Sequence, residues 1–95
     1  MLKFTLCGTL GCTHYTDGEL TLVLASPTDT QSGTRRVAWI LCVVRDRDLR
    51  TALSPDLQLG ELLRIQGFIE QQQRKVGGQS FCSVAFVATT IERLP

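Results

Sequence analysis

The residue best suited to recognition chemistry is the single tryptophan, Trp39, which follows a pair of arginines in the segment TRRVAWILCVV. An indole carries an N–H that needs a partner, so it fits poorly inside a small apolar core. An exposed ring beside a guanidinium can bind a flat, negatively charged group by stacking and charge. Strand alternation places Arg35 on the face of Trp39 and Arg36 on the opposite face. The alternative is a ring buried in a core or between two chains.

Basic residues cluster in the middle of the chain, where eight of the ten fall between positions 35 and 75. The same stretch holds five acidic residues, and the net charge of the whole chain is only +1. This clustering favours an anionic partner only if the fold gathers the arginines on one face. Within RDRDLR (residues 45–50) acids and bases alternate, which is typical of a solvated helix face with internal charge pairs.

The sequence offers little for catalysis or metal binding. His14 is the only histidine, so no nucleophile–histidine–acid set is available, and no phosphate loop of the G-x-x-x-x-G-K-[ST] type occurs. The four cysteines, at positions 7, 12, 42 and 82, form no C-x-x-C pair. We therefore expect neither an enzyme nor a bound metal or cofactor, and we expect reduced core or sheet thiols of a cytoplasmic protein. A disulfide framework is the less favoured alternative.

Length and hydropathy predict one domain over residues 1–95, with a core of modest size. The longest uninterrupted apolar run covers residues 37–44 and is far too short to cross a bilayer. The N-terminus has no extended apolar region followed by a cleavage site, so it does not resemble a signal peptide. These features predict a cytoplasmic protein with no membrane contact.

Alternating apolar residues predict five strands: LKFTLCGTL, ELTLVLAS, RRVAWILCVV, LLRIQGFIE and SFCSVAFVATTIERLP. In the second strand Leu20, Leu22 and Leu24 share the inward face. In the third strand the small and medium residues point inward, which leaves Trp39 outside. The fifth strand is apolar enough to be buried on much of both faces.

Turn formers and helical spacing fill the gaps between these strands. Residues 26–34 and 71–79 are predicted to be polar loops, and Leu49, Ala52 and Leu53 recur at helical spacing before Pro55. Glycines inside the first and fourth strands permit the strong bends of a small barrel. The pattern predicts an all-β, five-stranded OB-fold barrel with a short helix between strands three and four. Another small β-barrel is the main alternative, and an α+β sandwich is less favoured.

Three segments resemble a known family. LGELLRIQGFIE resembles the fourth-strand segment of bacterial primosomal replication protein N (primosome protein B), which typically has a glycine, a short apolar stretch and then V-Q-G-F. KFTLCGTL resembles its opening strand, and SGTRRVAW resembles its passage from loop to strand three. The likeness runs over nearly the whole chain, and looser versions of the motifs occur across the single-stranded DNA-binding protein superfamily.

The resemblance implies an OB-fold homodimer that binds single-stranded DNA and works in replication restart with helicase or loader proteins. Stacking and basic loops would then hold the DNA, and the candidate binding residues are Trp39, Arg35, Arg36, Arg64, Arg74, Lys75, Lys3 and Phe68. The chain departs from some members in having Thr34 in place of an aromatic residue and few lysines after strand four. Both departures favour weaker DNA binding, or binding that relies more on Trp39 and the strand-three arginines.

Two other functions fit the same pattern. A protein-interaction OB module would use the outer face to bind another protein, and Phe68 would then pack on a neighbour. A minimal single-stranded DNA-binding protein of a plasmid, phage or other mobile element would keep the DNA-binding role without the restart partners.

Overall fold

Five strands and one short helix make up the computed structural model of the chain. It describes residues 1–16, 18–29, 33, 35–53 and 57–95, and for Thr28, Asp29, Arg35 and Arg74 it describes the backbone alone. In chain order the elements are β1 (Leu2–Thr16), β2 (Glu19–Asp29), β3 (Arg35–Val44), α1 (Arg47–Leu53), β4 (Leu62–Val76) and β5 (Gln79–Leu94).

The strands close into a barrel in the order β1-β2-β3-β5-β4, and β4 pairs back onto β1. Every pairing is antiparallel except the one between β3 and β5, which is parallel and joins Cys42 to Phe86 and Val43 to Val87. A closed five-stranded barrel with its helix between the third and fourth strands is the OB-fold, so the predicted fold class is confirmed.

The barrel interior is filled by the apolar side chains that alternate with outward-facing residues along each strand. Leu22 and Leu24 of β2 are fully buried and Leu20 nearly so, as predicted. The remaining members of the core cluster come from the other four strands: Leu10, Cys42, Val44, Leu63, Ile65 and Ala88. The prediction that β5 is buried on much of both faces is wrong, because only Val87 and Ala88 of this strand are buried and residues such as Phe81 and Val84 are exposed.

Gly67 lies where the backbones of β4 and β5 approach each other closely. The register between β4 and β5 shifts between Gln66 and Gly67, which marks a β-bulge. A Cβ on Gly67 would overlap the carbonyl oxygen of Val87 and lie 3.1 Å from the Cα of Ala88. The glycine predicted to permit a bend in the fourth strand therefore permits this backbone contact.

Two of the predicted loops are instead paired strands. Residues 26–29 continue β2 and pair with residues 35–38 of β3, and residues 71–76 continue β4 and pair with residues 79–84 of β5. We call these extensions the β2–β3 arm and the β4–β5 arm. The radius of gyration, 14.6 Å, exceeds the value of about 12 Å expected for a compact chain of this length, as projecting arms require.

The turn of the β4–β5 arm explains why the prediction failed there. Gly77 and Gly78 have positive φ angles of 59° and 82°, so they form the tight two-residue connection of a hairpin and leave the flanking polar residues in strands. In the other predicted loop, residues 30–32 and 34 lie outside the described part of the structure.

The predicted short helix is present as α1, and Asp46 caps its start. The Asp46 carboxylate accepts a hydrogen bond of 3.0 Å from the backbone N–H of Leu49, and Leu53 is buried beneath the last turn. Pro55, the predicted stop, lies outside the described residues. The sequence predicts charge pairs within RDRDLR, but two of its arginines bond to residues outside this segment. Arg45 pairs with Glu19, and Arg50 donates to Tyr15. Among the described residues no helix is long and apolar enough to cross a membrane.

Candidate nucleic-acid interface

Trp39 lies on the outside of the barrel. Its side chain is 62% exposed, and its neighbours on the same face of β3, Val37 and Leu41, are each 57% exposed. The opposite face of β3 points inward and includes the buried Cys42 and Val44. We call the row of Val37, Trp39 and Leu41 the β3 outer face. It presents an aromatic surface flanked by aliphatic ones, which suits stacking on a flat apolar partner.

The indole of Trp39 reaches across the neighbouring strand. In register, Trp39 pairs with Ala25 of β2, and β1 lies on the far side of β2. The benzo edge of the ring nevertheless contacts Gly11 of β1, since a Cβ on Gly11 would lie 2.6 Å from Cζ3 of Trp39. Neighbouring strands are about 4.8 Å apart, so the ring leans over β2 instead of standing straight off β3.

The two arms project from the same end of the barrel. Because β3 and β5 run parallel and meet only at Cys42–Phe86 and Val43–Val87, their preceding residues extend on the same side of that contact. Trp39 lies four residues before Val43, about 13 Å along its strand, and Phe81 lies six residues before Val87, about 20 Å along its strand. A cleft therefore opens between the β2–β3 arm and the β4–β5 arm.

Phe81 gives this cleft a second aromatic surface. Val87 pairs with Val43, which lies on the same face of β3 as Trp39. Phe81 lies on the same face of β5 as Val87, because the two positions are an even number of residues apart. Phe81 is 51% exposed and thus belongs to the outer surface on the opposite side of the cleft from Trp39. Sequence analysis missed it because the fifth strand looked buried on both faces. The alternation of Phe81 with Ser80 and Cys82 was the available signal.

A groove of about 480 Å³ lies at the base of the cleft, between Leu41 and Val43 on one side and Gln72 and Val84 on the other. At its edge Arg45 donates from Nε to Glu19 at 3.0 Å and from Nη1 to Glu70 at 2.7 Å. These bonds raise the pKa of Arg45, the Glu70 bond most, and Arg45 in turn lowers the pKa of Glu70. The ion pairs link Arg45, which directly follows β3, to the first residue of β2 and to the middle of β4. The two carboxylates offset its charge, so this arginine stabilises the fold more than it could bind an anionic ligand.

Three candidate residues lie away from Trp39. Lys3 of β1 pairs in register with Phe68 of β4, and both line a cleft of about 430 Å³ on that side of the barrel. Arg64 lies four residues before Phe68, near the start of β4, and donates to the Glu92 carboxylate at 3.1 Å. Because β4 has β1 and β5 as its neighbours, at least one strand separates these residues from β3 in either direction. We call Lys3, Arg64 and Phe68 the β1–β4 group.

The side chains of the group differ in how accessible they are. Phe68 is half-buried, while Lys3 and Arg64 are exposed. The Cys7 thiol lies beside the Arg64 guanidinium, and hydrogen bonding to Cys7 followed by the charge of Glu92 raises the pKa of Arg64. A phosphate that approached Arg64 would compete with an ion pair already formed.

The remaining candidates lie on the two arms. Arg36 is exposed on the β2–β3 arm, and Lys75 is exposed on the β4–β5 arm near its Gly77–Gly78 turn. Arg35 and Arg74 also belong to these arms, and their side chains lie outside the described part of the structure. By position in the strands, the basic residues of the arms lie on either side of the cleft, and Trp39 lies beside it on β3.

The four cysteines are free thiols, one of them buried. Burial raises the pKa of the Cys42 thiol to about 11, while Cys7, Cys12 and Cys82 are exposed. In the described ranges, no group of three or more histidine, cysteine, aspartate or glutamate side chains is arranged to hold a metal ion. The chemistry that this surface offers is stacking, apolar contact and charge.

Solved structures with the same fold cover nearly the whole chain. A Plasmodium falciparum single-stranded DNA-binding protein in complex with single-stranded DNA superposes with a TM-score of 0.79 at 18% identity, over 100% of this chain and 96% of that one. The mitochondrial single-stranded DNA-binding protein Rim1 of Saccharomyces cerevisiae gives a TM-score of 0.77 at 16% identity, over 98% and 94% of the two chains. These likenesses support the OB-fold assignment.

A third structure is more similar in sequence. A deletion mutant of the single-stranded DNA-binding protein of Thermus aquaticus is 26% identical, with a TM-score of 0.67. It matches all of this chain, which spans 51% of the length of that one. No family model and no curated protein matches the chain.

Proposed function

We propose that this chain is a single-stranded DNA-binding protein in which Trp39 stacks on a base beside the cleft between the two arms. The observation that carries the proposal is the position of the only tryptophan, 62% exposed on the outer face of an OB-fold barrel. The function is binding without catalysis, by one domain of 95 residues. Structures named as single-stranded DNA-binding proteins match this fold over nearly its full length, which supports the same role here.

The chemistry of the cleft suits a single strand. Every base has a π-face, so stacking on Trp39 and Phe81 tolerates any sequence, and each stacked base contributes about 1–3 kcal/mol. Arg36 and Lys75 add positive charge to the two arms beside the cleft. Arg36 lies on the face of β3 opposite Trp39, and Lys75, which pairs with Ser80, lies on the face opposite Phe81. In duplex DNA the bases are stacked on each other and unavailable to the ring. We therefore expect a strong preference for single strands.

The β1–β4 group is expected to make a smaller contribution to DNA binding than the cleft. Lys3, Arg64 and Phe68 lie on another side of the barrel, so a strand contacts them only if it continues around β1. A short oligonucleotide is expected to engage the cleft first and this group last.

We further propose that the protein is a cytoplasmic homodimer that acts in replication restart with a helicase or loader partner. The resemblance to primosomal replication protein N supports the restart role. An open strand edge supports the dimer: residues 2–6 of β1 pair with β4 and have no backbone pairing to β2 in the described structure, whereas the Cys7 carbonyl already accepts a hydrogen bond of 3.0 Å from the Ser26 hydroxyl of β2. An unpaired edge is a template for strand addition, and Leu2 and Leu62 on β1 and β4 leave apolar surface beside it. Light scattering is expected to give twice the chain mass.

The experiment that tests the DNA-binding proposal compares Trp39→Ala with the parent by fluorescence anisotropy of labelled oligo(dT). The variant is expected to bind at least about tenfold more weakly, because one stacked base is lost, and to keep its fold because the ring lies outside the barrel. Tyr15→Ala is the matched control, since Tyr15 is an equally exposed ring at the β1–β2 hairpin. Equal affinity of Trp39→Ala and the parent would contradict the proposal.

A protein-interaction module is the second candidate, and the exposed Phe81 and Val84 on the β4–β5 arm favour it. These side chains add apolar surface that a partner protein could cover. Binding of oligo(dT) by the parent protein distinguishes the two functions. If the surface docks a partner protein instead of DNA, the parent should have no measurable affinity for oligo(dT) at any salt concentration.

A further inference from the structure

We infer that Gly11 is the positioning residue for Trp39: the absence of a side chain at Gly11 provides the seat that fixes the angle of the indole over the sheet. The inference rests on the proposed function for its consequence, DNA affinity, and on the geometry of the free protein for its cause. Gly11 itself touches no ligand in this account and acts through the ring.

The contact is unusually close for a position two strands away. A Cβ built on Gly11 would lie 2.6 Å from Cζ3 and 3.3 Å from Cη2 of Trp39. Carbon atoms in contact stay about 3.5–4.0 Å apart, so a methyl group at position 11 would force the ring edge to move by about 1 Å. The ring therefore lies as low as it does only because residue 11 has no side chain.

The backbone at Gly11 allows an alanine there to displace the Trp39 ring without disturbing the fold. Gly11 is the extra residue of a β-bulge, because the register of β1 against β2 passes from Leu10–Leu24 directly to Cys12–Val23. Its φ is not in the left-handed region, so alanine can adopt the same backbone. The nearest backbone atom to a Cβ there is the carbonyl oxygen of Val23 at 3.5 Å, an ordinary contact. An added methyl group thus conflicts with the ring and with little else.

The seat has a consequence for binding. A stacking platform is most effective when its orientation is fixed before the ligand arrives, since each side chain that must be ordered on binding costs free energy. The benzo edge on Gly11 removes part of the freedom of the Trp39 side chain while 62% of its surface stays exposed. A ring displaced by a methyl group at position 11 loses this support and must be ordered by the base.

The test uses Gly11→Ala, with Cys12→Ala as a matched control at the adjacent exposed position of β1. In the free protein, Gly11→Ala is expected to lower the steady-state fluorescence anisotropy of Trp39 and to change its quenching by acrylamide, while the thermal midpoint stays the same or rises. Because Trp39 is the only tryptophan, these signals report that ring alone. Cys12→Ala is expected to match the parent in all three measurements.

A double-mutant cycle then links the seat to DNA. Gly11→Ala is expected to weaken oligo(dT) binding by about threefold to tenfold in the parent, and to have no effect in a Trp39→Ala background. Unchanged fluorescence of the free Gly11→Ala protein would overturn the inference, and so would an equal loss of affinity in both backgrounds. If the parent itself fails to bind oligo(dT), the proposed function is wrong, and the fluorescence of the free protein still decides whether Gly11 seats the ring.

Discussion

Gly67 and Val87 meet backbone to backbone across the β4–β5 pairing, so closely that a Cβ on Gly67 would overlap the Val87 carbonyl oxygen. Val87 is also one of the two β5 residues that pair with β3, at the parallel contact that closes the barrel. The bulge at Gly67 is therefore adjacent to the parallel contact that closes the barrel.

Gly67→Ala is expected to destabilise the fold by about 1–3 kcal/mol or more, because rigid backbone atoms must move to admit the methyl group. Urea unfolding followed by circular dichroism measures this loss. The matched control is Gly11→Ala, in which the added methyl group meets a movable side chain and stability is kept. Equal unfolding midpoints for the two variants would contradict the role given to the Gly67–Val87 contact.

Acid is expected to weaken the fold partly through Glu70. The hydrogen bond from Arg45 lowers the pKa of Glu70 below its ordinary 4.5, so the unfolded chain takes up this proton at a higher pH than the folded one. The contribution of Glu70 is thus complete above about pH 4.5 and is lost as the pH falls through the lowered pKa. Glu70→Gln should unfold with a shallower dependence on pH across this range. An unchanged pH profile of the unfolding midpoint would contradict the assignment.

The Cys42 thiol is expected to be inert in the folded protein. Burial raises its pKa to about 11, and its side chain is fully enclosed. A thiol reagent at about pH 8 should modify Cys7, Cys12 and Cys82 and leave Cys42 until the chain unfolds. The raised pKa also means that the contribution of Cys42 to stability is complete below about pH 9.0 and is lost as the pH rises through about 11. Peptide mass spectrometry that found Cys42 modified as fast as the others would contradict its burial.

The salt dependence of DNA binding should distinguish phosphate contacts made by the arms from contacts made by the β1–β4 group. Two to four phosphate contacts per chain predict a slope of log K against log salt of about −1.4 to −2.8 on single-stranded DNA. Lys75→Gln on the β4–β5 arm should reduce the size of this slope by about 0.7, the share of one phosphate. Arg64→Gln should leave the slope for a short oligonucleotide nearly unchanged, because Arg64 is paired with Glu92 and lies away from β3. The reverse order of the two effects would contradict the placement of the DNA in the cleft.

The sequence predicted the barrel and the exposure of Trp39 because both follow from a period of two. Leu22 and Leu24 in β2 and Cys42 in β3 alternate with outward residues, so their burial could be deduced without knowledge of the neighbouring strands. The short helix was equally local, since it follows from the spacing of Leu49, Ala52 and Leu53. These features need only adjacent residues to be specified.

The arms and the grouping of the candidate residues could not be deduced in this way. A strand with solvent on both faces has the polar composition of a loop, which is why residues 71–76 were misassigned. The separation of Arg64 and Lys3 from Trp39 depends on the order in which the strands close. The contact between Gly11 and Trp39 depends on a bulge in a third strand. Each is a consequence of pairing between distant segments, which periodicity does not encode.

The most direct test of the central claim is a titration of the intrinsic fluorescence of Trp39 with unlabelled oligo(dT), with duplex DNA of the same length as the comparison. Since the chain has one tryptophan, a stacked base should quench the emission and saturate at the stoichiometry found by anisotropy, and duplex should quench far more weakly. Binding of oligo(dT) with no change in the emission of Trp39, or equal quenching by duplex and single strand, would contradict the account.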